Sequence, residues 1–261
     1  MSRRDPEARM SILGHLREAR RRVLWALVGI VVGAIGGWFL VDPVLNFMLE
    51  PLREIAGPKT QINFQTIGAA FDLKLQISIW LGILIASPWW IFQILAFVAP
   101  GLKRSEKRWL AFFGIAGVVL FVAGSATGVW VAPKAVTILQ SFVPDGAYSL
   151  ILASSYVTFY MRLVIAFGIS FLAPEVLVML GALDLLSAKS MLKGWRWATM
   201  IAFIFAGVAN PLPSPWPMVV QALILLALYF LAVLVTWLLQ RRRADQKTSD
   251  PQRKKLDYTK E

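Results

Sequence analysis

The sequence contains no cysteine and a single histidine, His15. Without cysteine the chain can form no disulfide, no thiol nucleophile and no cysteine-ligated metal site, and one histidine cannot build a histidine cluster. The short motifs of zinc proteases, serine hydrolases, P-loop nucleotide-binding proteins and dinucleotide-binding domains are also missing. These absences speak against an enzyme, and we expect no metal ion or other cofactor.

Charged residues are scarce as well: they make up 16% of the 261 residues, whereas apolar residues make up 57%. An ordinary soluble domain carries about 25% charged residues. Long apolar runs therefore predict an all-α integral membrane protein with six transmembrane helices. The predicted spans lie near residues 23–41, 75–97, 109–132, 155–183, 197–209 and 216–239. The fifth offers only about 20 Å of helix for a hydrocarbon core of about 30 Å, so it must thin the bilayer or borrow flanking residues.

The 27 Lys and Arg residues fall mainly on alternate segments: before span one, between spans two and three, between spans four and five, and after span six. The positive-inside rule therefore predicts that both termini are cytoplasmic. This topology and contact with anionic membrane lipid account for the net charge of +12, without a nucleic-acid partner. We expect one cupped six-helix domain over 1–240, with short helices five and six and a first outer loop at 42–71. A disordered cytoplasmic tail is expected over 241–261.

Small residues recur four positions apart in two of the spans. Gly29, Gly33 and Gly37 lie in span one, and Gly124 and Gly128 lie in span three. Such spacing is typical of helices whose backbones approach closely in a membrane. We expect these glycines to pack against neighbouring helices of the same chain.

Two glutamates lie among basic residues on the predicted cytoplasmic face. Glu18 belongs to the segment His15-Leu-Arg-Glu18-Ala-Arg20-Arg-Arg22, which leads into span one. Glu106 belongs to the loop after span two, which reads Pro88-x4-Gln93-x3-Phe97-x2-Pro100-Gly-Leu102-Lys-Arg-Ser-Glu106-Lys-Arg108. Spacing alone allows local ion pairs, of Glu18 with Arg21 or Arg22 and of Glu106 with Lys103. Alternatively, the two carboxylates receive a cationic partner.

These two motifs resemble those of the TatC family, the multispanning receptor subunit of the twin-arginine protein translocase. The family has an amino-terminal H-L-x-E-L-R-x-R and a first cytoplasmic loop of the form S/A-P-x4-Q-x3-F-x-x-P-x-L-x3-E-x-R. The resemblance implies a receptor for signal peptides with consecutive arginines, which exports folded cargo with the proton-motive force and no nucleotide. It also implies single-span partners of the TatA or TatB type, homo- and hetero-oligomers, and the cytoplasmic membrane of a prokaryote.

The resemblance assigns a signal-peptide site to Glu18, Glu106, Arg20, Phe97, Leu102 and Arg108. A guanidinium donates two parallel hydrogen bonds to one carboxylate, so two arginines suit two separate glutamates. Phe97 and Leu102 would supply an apolar wall. Motif residues with structural roles are His15, Pro51, Pro88, Gln93 and Pro100, and the prolines at 88 and 100 would bend and end span two.

Five polar residues lie in or beside the spans: Lys74, Arg162, Glu175, Asn210 and Gln221. The two basic residues fall near the outer ends of spans two and four, where long side chains reach the interface. A carboxylate inside a span is costly, so Glu175 must face a cavity or a partner, or be protonated. It is one helical turn from Leu172, where the family commonly has a polar residue. The two amides are candidates for hydrogen bonds to a partner helix.

The alternative function is a multispanning solute transporter or channel. It would need a continuous polar pore, for which the spans offer only Lys74, Arg162 and Glu175. An intramembrane enzyme would need a paired nucleophile and base, and no such pair is evident. The receptor is therefore the function that the sequence favours.

Overall fold

The structure, a computed structural model, describes residues 12–56, 66–98, 107–142, 144, 152–209 and 215–248. These residues form nine helices: α1 (Ile12–Trp38), α2 (Val41–Ala56), α3 (Ala69–Ile85), α4 (Ser87–Val98), α5 (Lys107–Gln140), α6 (Ala153–Ala182), α7 (Ala188–Lys193), α8 (Trp195–Ala209) and α9 (Pro215–Thr248). No extended strand occurs within those ranges. The predicted all-α fold is thereby confirmed.

Six segments correspond to the six predicted spans. Helices α1, α5, α6 and α9 are each long and apolar enough to cross a membrane, and α3 and α4 meet the same criterion only as a pair bent by 55°. Helix α8 is apolar but has 15 residues, about 22 Å at 1.5 Å per residue. The chain is therefore a multi-pass membrane protein, and α8 lies where the sequence predicts a short fifth span. The expectation that helix six is also short is wrong, because α9 has 34 residues.

Helix α9 is long because the basic segment after the predicted sixth span is also helical. It reaches Thr248, eight residues past the predicted boundary between the domain and the tail at 240. Arg, Ala, Gln and Lys favour helix, and neither Gly nor Pro occurs between Leu239 and Thr248 to stop it. The remaining residues of the predicted tail lie outside the described ranges.

The connection between the first and second predicted spans, expected to be an outer loop, contains the amphipathic helix α2. Its buried residues Val41, Met48 and Leu49 recur after seven to eight positions, which places them on one face. Asp42 lies in the first turn, where a carboxylate is favoured by the helix dipole. Pro51 therefore lies inside a helix and not in a loop.

The bend between α3 and α4 lies at Ala86, two residues before Pro88. Proline is tolerated in the first turn of a helix, where its missing N–H would have no helical acceptor, but it cannot continue the ladder of the preceding helix. Trp90 Nε1 donates to Ile83 O across the bend, at 2.9 Å. The prediction that Pro88 bends span two agrees with the structure.

The chain forms two compact units, divided within α5 after Val118 and within α6 after Val157. In the first unit α1 packs against α3 and α4. The helices approach closely at Gly82, where an added Cβ would lie 2.6 Å from Ile30 O and 2.7 Å from Ala34 N. The first unit also holds the start of α6, where Tyr156 Oη donates to Met48 O of α2 at 2.6 Å.

In the second unit α5 and α6 make a similar close approach. An added Cβ would lie 2.6 Å from Phe167 O at Gly124 and 2.7 Å from Val164 Cα at Gly128. The close packing predicted for the spaced glycines is thus present. Helices α7 and α8 pack on α9, and Gln240 ties α7 to α9 by accepting from Ala188 N and donating to Leu186 O, both at 3.1 Å.

Candidate functional site

The candidate site lies where the basic first turns of α1 run beside α4. Helix α1 starts at Ile12, so the motif segment from His15 to Arg22 is helical and continuous with span one. Trp89 Nε1 of α4 donates to Trp25 O of α1 at 2.8 Å. That bond fixes α4 against α1 about one turn beyond the motif.

Glu18 and Arg22 form an ion pair on the face of α1 that meets α4. Arg22 Nε lies 2.8 Å from Glu18 Oε1, and the two side chains are 30% and 18% exposed, respectively. The pair has the i, i+4 spacing that brings helical side chains together. Of the local partners considered for Glu18, Arg22 is therefore the one that the structure provides.

The same arginine reaches across to α4. Arg22 Nη1 donates to Gln93 Oε1 at 3.1 Å, and Gln93 is 4% exposed. An amide oxygen with little access to water strongly favours a donor, because leaving it without a hydrogen bond costs about 1–3 kcal/mol. Gln93, expected only as a structural motif residue, thus contacts the charged pair directly.

An aromatic contact lies at the outer edge of this cluster. The rings of His15 and Phe97 stack with their centroids 4.4 Å apart and their planes at 29°. His15 is exposed and Phe97 is partly buried. The stacking joins α1 to α4, so His15 makes an interhelical contact, and the role of Phe97 as the apolar wall of a peptide site stays a prediction.

Arg20 lies on a different face of α1. It lines an open groove of about 440 Å³ together with Arg17, Arg21, Leu24, Trp25 and Val28. Residues two positions apart on a helix do not face each other, so Arg20 does not join the pair that Arg22 makes with Glu18. Arg20 therefore lies on the same helix as Glu18 but on a different face of it.

Other members of the predicted site fall outside what the structure describes. Pro100, Leu102 and Glu106 precede α5 and lie in the range 99–106, and Asn210 lies in the range 210–214. Arg108 lies in the first turn of α5. Their predicted roles stay predictions.

The basic residues of the spans have different surroundings. Lys74 Nζ lies 2.8 Å from Asp42 Oδ1, and the side chains are 42% and 69% exposed. The sequence placed Lys74 near an outer helix end but did not identify Asp42, because the pairing depends on the unpredicted helix α2. Arg162 is exposed on α6.

Two further polar residues of the spans are partly or fully buried. Glu175 is partly buried on α6, directly after the buried Pro174, and Leu172 is also partly buried. Gln221 is 0% exposed, and its Nε2 donates to Ser170 Oγ at 3.2 Å. The prediction of Gln221 as a contact for a partner helix is therefore wrong, because its side chain is enclosed within its own chain.

The cluster offers acceptors for an organic cation. It offers a carboxylate, a neutral amide acceptor and an aromatic wall, and no metal-binding group of three or more His, Asp or Glu side chains occurs in the described part of the chain. A carboxylate with partial shielding from water favours a planar guanidinium, whose paired N–H groups match its two oxygens. The geometry therefore suits an arginine as the bound group.

Comparisons with known proteins agree on one family. The model of the family described as TatC, Sec-independent protein translocase protein, matches residues 14–223. A Sec-independent protein translocase protein TatC of Xylanimonas cellulosilytica is 41% identical over 245 residues, covering 92% of this chain and 88% of the relative. One of Rothia mucilaginosa is 32% identical over 243 residues, covering 92% of this chain and 83% of the relative.

A solved structure shares the fold. The crystal structure of a twin arginine translocase receptor, TatC, superposes with a TM-score of 0.75 at 25% sequence identity. The match covers 87% of this chain and 99% of that structure's chain. The likeness therefore extends over nearly the whole solved protein.

Proposed function

The chain belongs to the TatC family of Sec-independent protein translocase proteins, and on that premise we propose that it is the receptor for twin-arginine signal peptides in a Tat translocase. The receptor acts in the export of folded proteins across the cytoplasmic membrane of a prokaryote, and the proton-motive force drives the export. Members of the family are components of a protein translocase and not enzymes. The alternative of a solute transporter or channel is not favoured.

The observation that carries the proposal is the coordination of a guanidinium at Glu18. In the structure that carboxylate already holds an arginine side chain, in a setting walled by α4 and only 18% exposed. An exposed ion pair contributes about 0–1 kcal/mol, whereas a hydrogen bond to a charged group contributes about 1.5–3 kcal/mol. Because Glu18 is partly shielded from water, its hydrogen bond to a guanidinium should contribute closer to the larger of these two energies. A receptor that recognises one or two arginines requires a contribution of that size.

We assign the second carboxylate of the site to Glu106. It follows α4 in the sequence after seven intervening residues, and α4 carries Gln93 and Phe97 beside Glu18. A chain of that length has the reach to return toward α1. Each arginine of the signal peptide would then have its own carboxylate, with Leu102 and Arg108 from the same motif beside the second one.

The proposed orientation places this site in the cytoplasm. Basic residues cluster at the start of α1, in and beside α7, and at the end of α9, as the positive-inside rule requires for cytoplasmic segments. Both termini are then cytoplasmic, and α2 lies on the opposite side of the membrane. Signal peptides meet the receptor from the cytoplasm, so Glu18 is on the side that they reach first.

Single-span subunits of the TatA or TatB type are the proposed protein partners. Helix α8 is short and carries exposed apolar side chains at Ile201, Ile204 and Val208. A short span thins the bilayer around it, and covering it with a partner helix relieves that mismatch. Partner subunits and further copies of the chain would together build the passage for a folded protein.

The experiment measures binding of a fluorescent Arg-Arg signal peptide to the purified protein by fluorescence anisotropy. Glu18→Gln and Glu106→Gln each remove one charged acceptor, and we expect each to weaken binding about 10- to 150-fold. Glu50→Gln on α2 is the matched control, since Glu50 is an exposed acid outside the proposed site. Equal binding by all three variants and the unmodified protein would refute the assigned site.

A further inference from the structure

Glu18, the proposed acceptor for a signal-peptide arginine, is already occupied by an arginine of its own chain. Arg22 donates from Nε to Glu18 Oε1 and from Nη1 to Gln93 Oε1. The described part of the chain contributes no donor to Glu18 Oε2. A ligand guanidinium that binds bidentately needs both oxygens of the carboxylate, so it competes with Arg22 for Oε1.

We propose that Arg22 is an internal substitute for the ligand, which closes Glu18 in the free receptor and exchanges with an arginine of the signal peptide. The inference rests on the proposed function and adds a residue that sets the affinity and selectivity of the site. In the free receptor Arg22 keeps the carboxylate from binding other cations. In the bound receptor the peptide's guanidinium takes the position at Glu18.

The contact between Arg22 and Gln93 makes the exchange feasible. Gln93 is held on α4 and is 4% exposed, so it stays in place when Arg22 leaves Glu18. Its amide oxygen is neutral and continues to accept a hydrogen bond from Arg22 after the ion pair has opened. Arg22 is 30% exposed, so its released guanidinium can also turn to water.

The surroundings of Glu18 explain why Arg22 and not another arginine fills this role. Arg17, Arg20 and Arg21 line the open groove on another part of the α1 surface. Arg22 is one turn from Glu18 in the favourable order, acid before base, and it alone of these four donates to Gln93. Two helices therefore determine its position.

Exchange also provides selectivity. A lysine presents one ammonium group and makes no bidentate contact, so it competes poorly with a side chain that already fills the site. Two guanidinium groups on one carboxylate would place like charges within a few ångströms of each other, which disfavours simultaneous binding. An incoming arginine must therefore displace Arg22 and not merely add to it.

The test compares Arg22→Gln with Arg21→Gln, which removes the same charge from the adjacent position without opening the pair. Both are titrated with Arg-Arg and Lys-Lys peptides. Removing the competitor raises the fraction of receptor with an open Glu18, so Arg22→Gln should bind Arg-Arg about two- to tenfold more tightly than Arg21→Gln. Arg22→Lys, which retains the charge, should lie between Arg22→Gln and the unmodified protein.

The outcomes separate this inference from the proposed function. If the unmodified protein does not distinguish Arg-Arg from Lys-Lys, the proposed function fails. If it does distinguish them and Glu18→Gln weakens binding, but Arg22→Gln binds no more tightly than Arg21→Gln, only the exchange is refuted. Weaker binding by Arg22→Gln with an unchanged unfolding temperature would show that Arg22 positions Glu18 for the ligand, which also overturns the exchange.

Discussion

Substituting alanine for Gly82 tests the contact that brings α1 and α3 together beneath the site. The new methyl would stand 2.6 Å from Ile30 O, 2.7 Å from Ala34 N and 2.9 Å from Ala34 Cα, whereas ordinary contact begins at 3.4 Å. All three are backbone atoms, so no side-chain rotation can relieve the overlap. The two helices must separate by about 0.8 Å, and overpacking of this kind costs about 1–3 kcal/mol.

Gly36→Ala is the matched control, because a Cβ at Gly36 meets no atom within 4 Å. Both substitutions gain up to about 1 kcal/mol from replacing glycine in a helix. The difference in free energy of unfolding between the two variants should therefore come from the overpacking alone. Gly82→Ala should be about 1–3 kcal/mol less stable than Gly36→Ala. The measurement is the temperature at which detergent-solubilised protein loses its monodisperse peak in size-exclusion chromatography.

The same substitution should also weaken the site itself. Moving α1 away from α3 should lengthen the hydrogen bond between Arg22 and Gln93, because Gln93 lies on α4, which follows α3 directly after the bend. If Gly82→Ala unfolds at the same temperature as Gly36→Ala, the close approach of α1 and α3 is refuted. The account of how α4 is held against the motif would then be refuted as well.

Two further predictions concern the second unit. Gln221 is enclosed, and its Oε1 has no hydrogen-bond donor among the described residues, so Gln221→Leu should change the free energy of unfolding by less than about 1 kcal/mol or raise it. Gln221→Ala should lower it by about 2 kcal/mol through the cavity, and a larger loss in the leucine variant would contradict this. Gln240→Leu removes the hydrogen bonds to Leu186 and to Ala188, just before and at the start of α7, and should speed amide hydrogen exchange at 186–193. Unchanged exchange there would show that Gln240 does not hold α7.

The apolar helices could be located from the sequence, because hydrophobic length is a local property. Apolar runs fall on α1, on the bent pair of α3 and α4, and on α5, α6, α8 and α9, and the 13-residue fifth run anticipated the short α8. The bend in span two was also predictable, since Pro88 acts on its own backbone. Helix α2 was missed although its apolar residues recur at helical spacing, because its charged residues and Pro43 and Pro51 leave no apolar run long enough to indicate a span.

The sequence motifs singled out residues of the candidate site, but the contacts between these residues could not be predicted. Two motifs pointed to Glu18, Gln93 and Phe97, and helical spacing offered Arg21 and Arg22 equally as partners for Glu18. The choice of Arg22 depends on Gln93, which lies 71 positions away in the sequence. The enclosure of Gln221 likewise depends on α6. Contacts of this kind are set by how helices pack, which spacing within one helix does not reveal.

The central claim is that the receptor recognises consecutive arginines through their guanidinium groups. The most direct test is the ratio of dissociation constants for two peptides that differ only in Arg-Arg against Lys-Lys, measured on the purified unmodified protein at one salt concentration. Both peptides carry the same charge, so the ratio reports the bidentate contact and not simple attraction. The account predicts binding at least about tenfold weaker for Lys-Lys; equal affinity for the two peptides would contradict it.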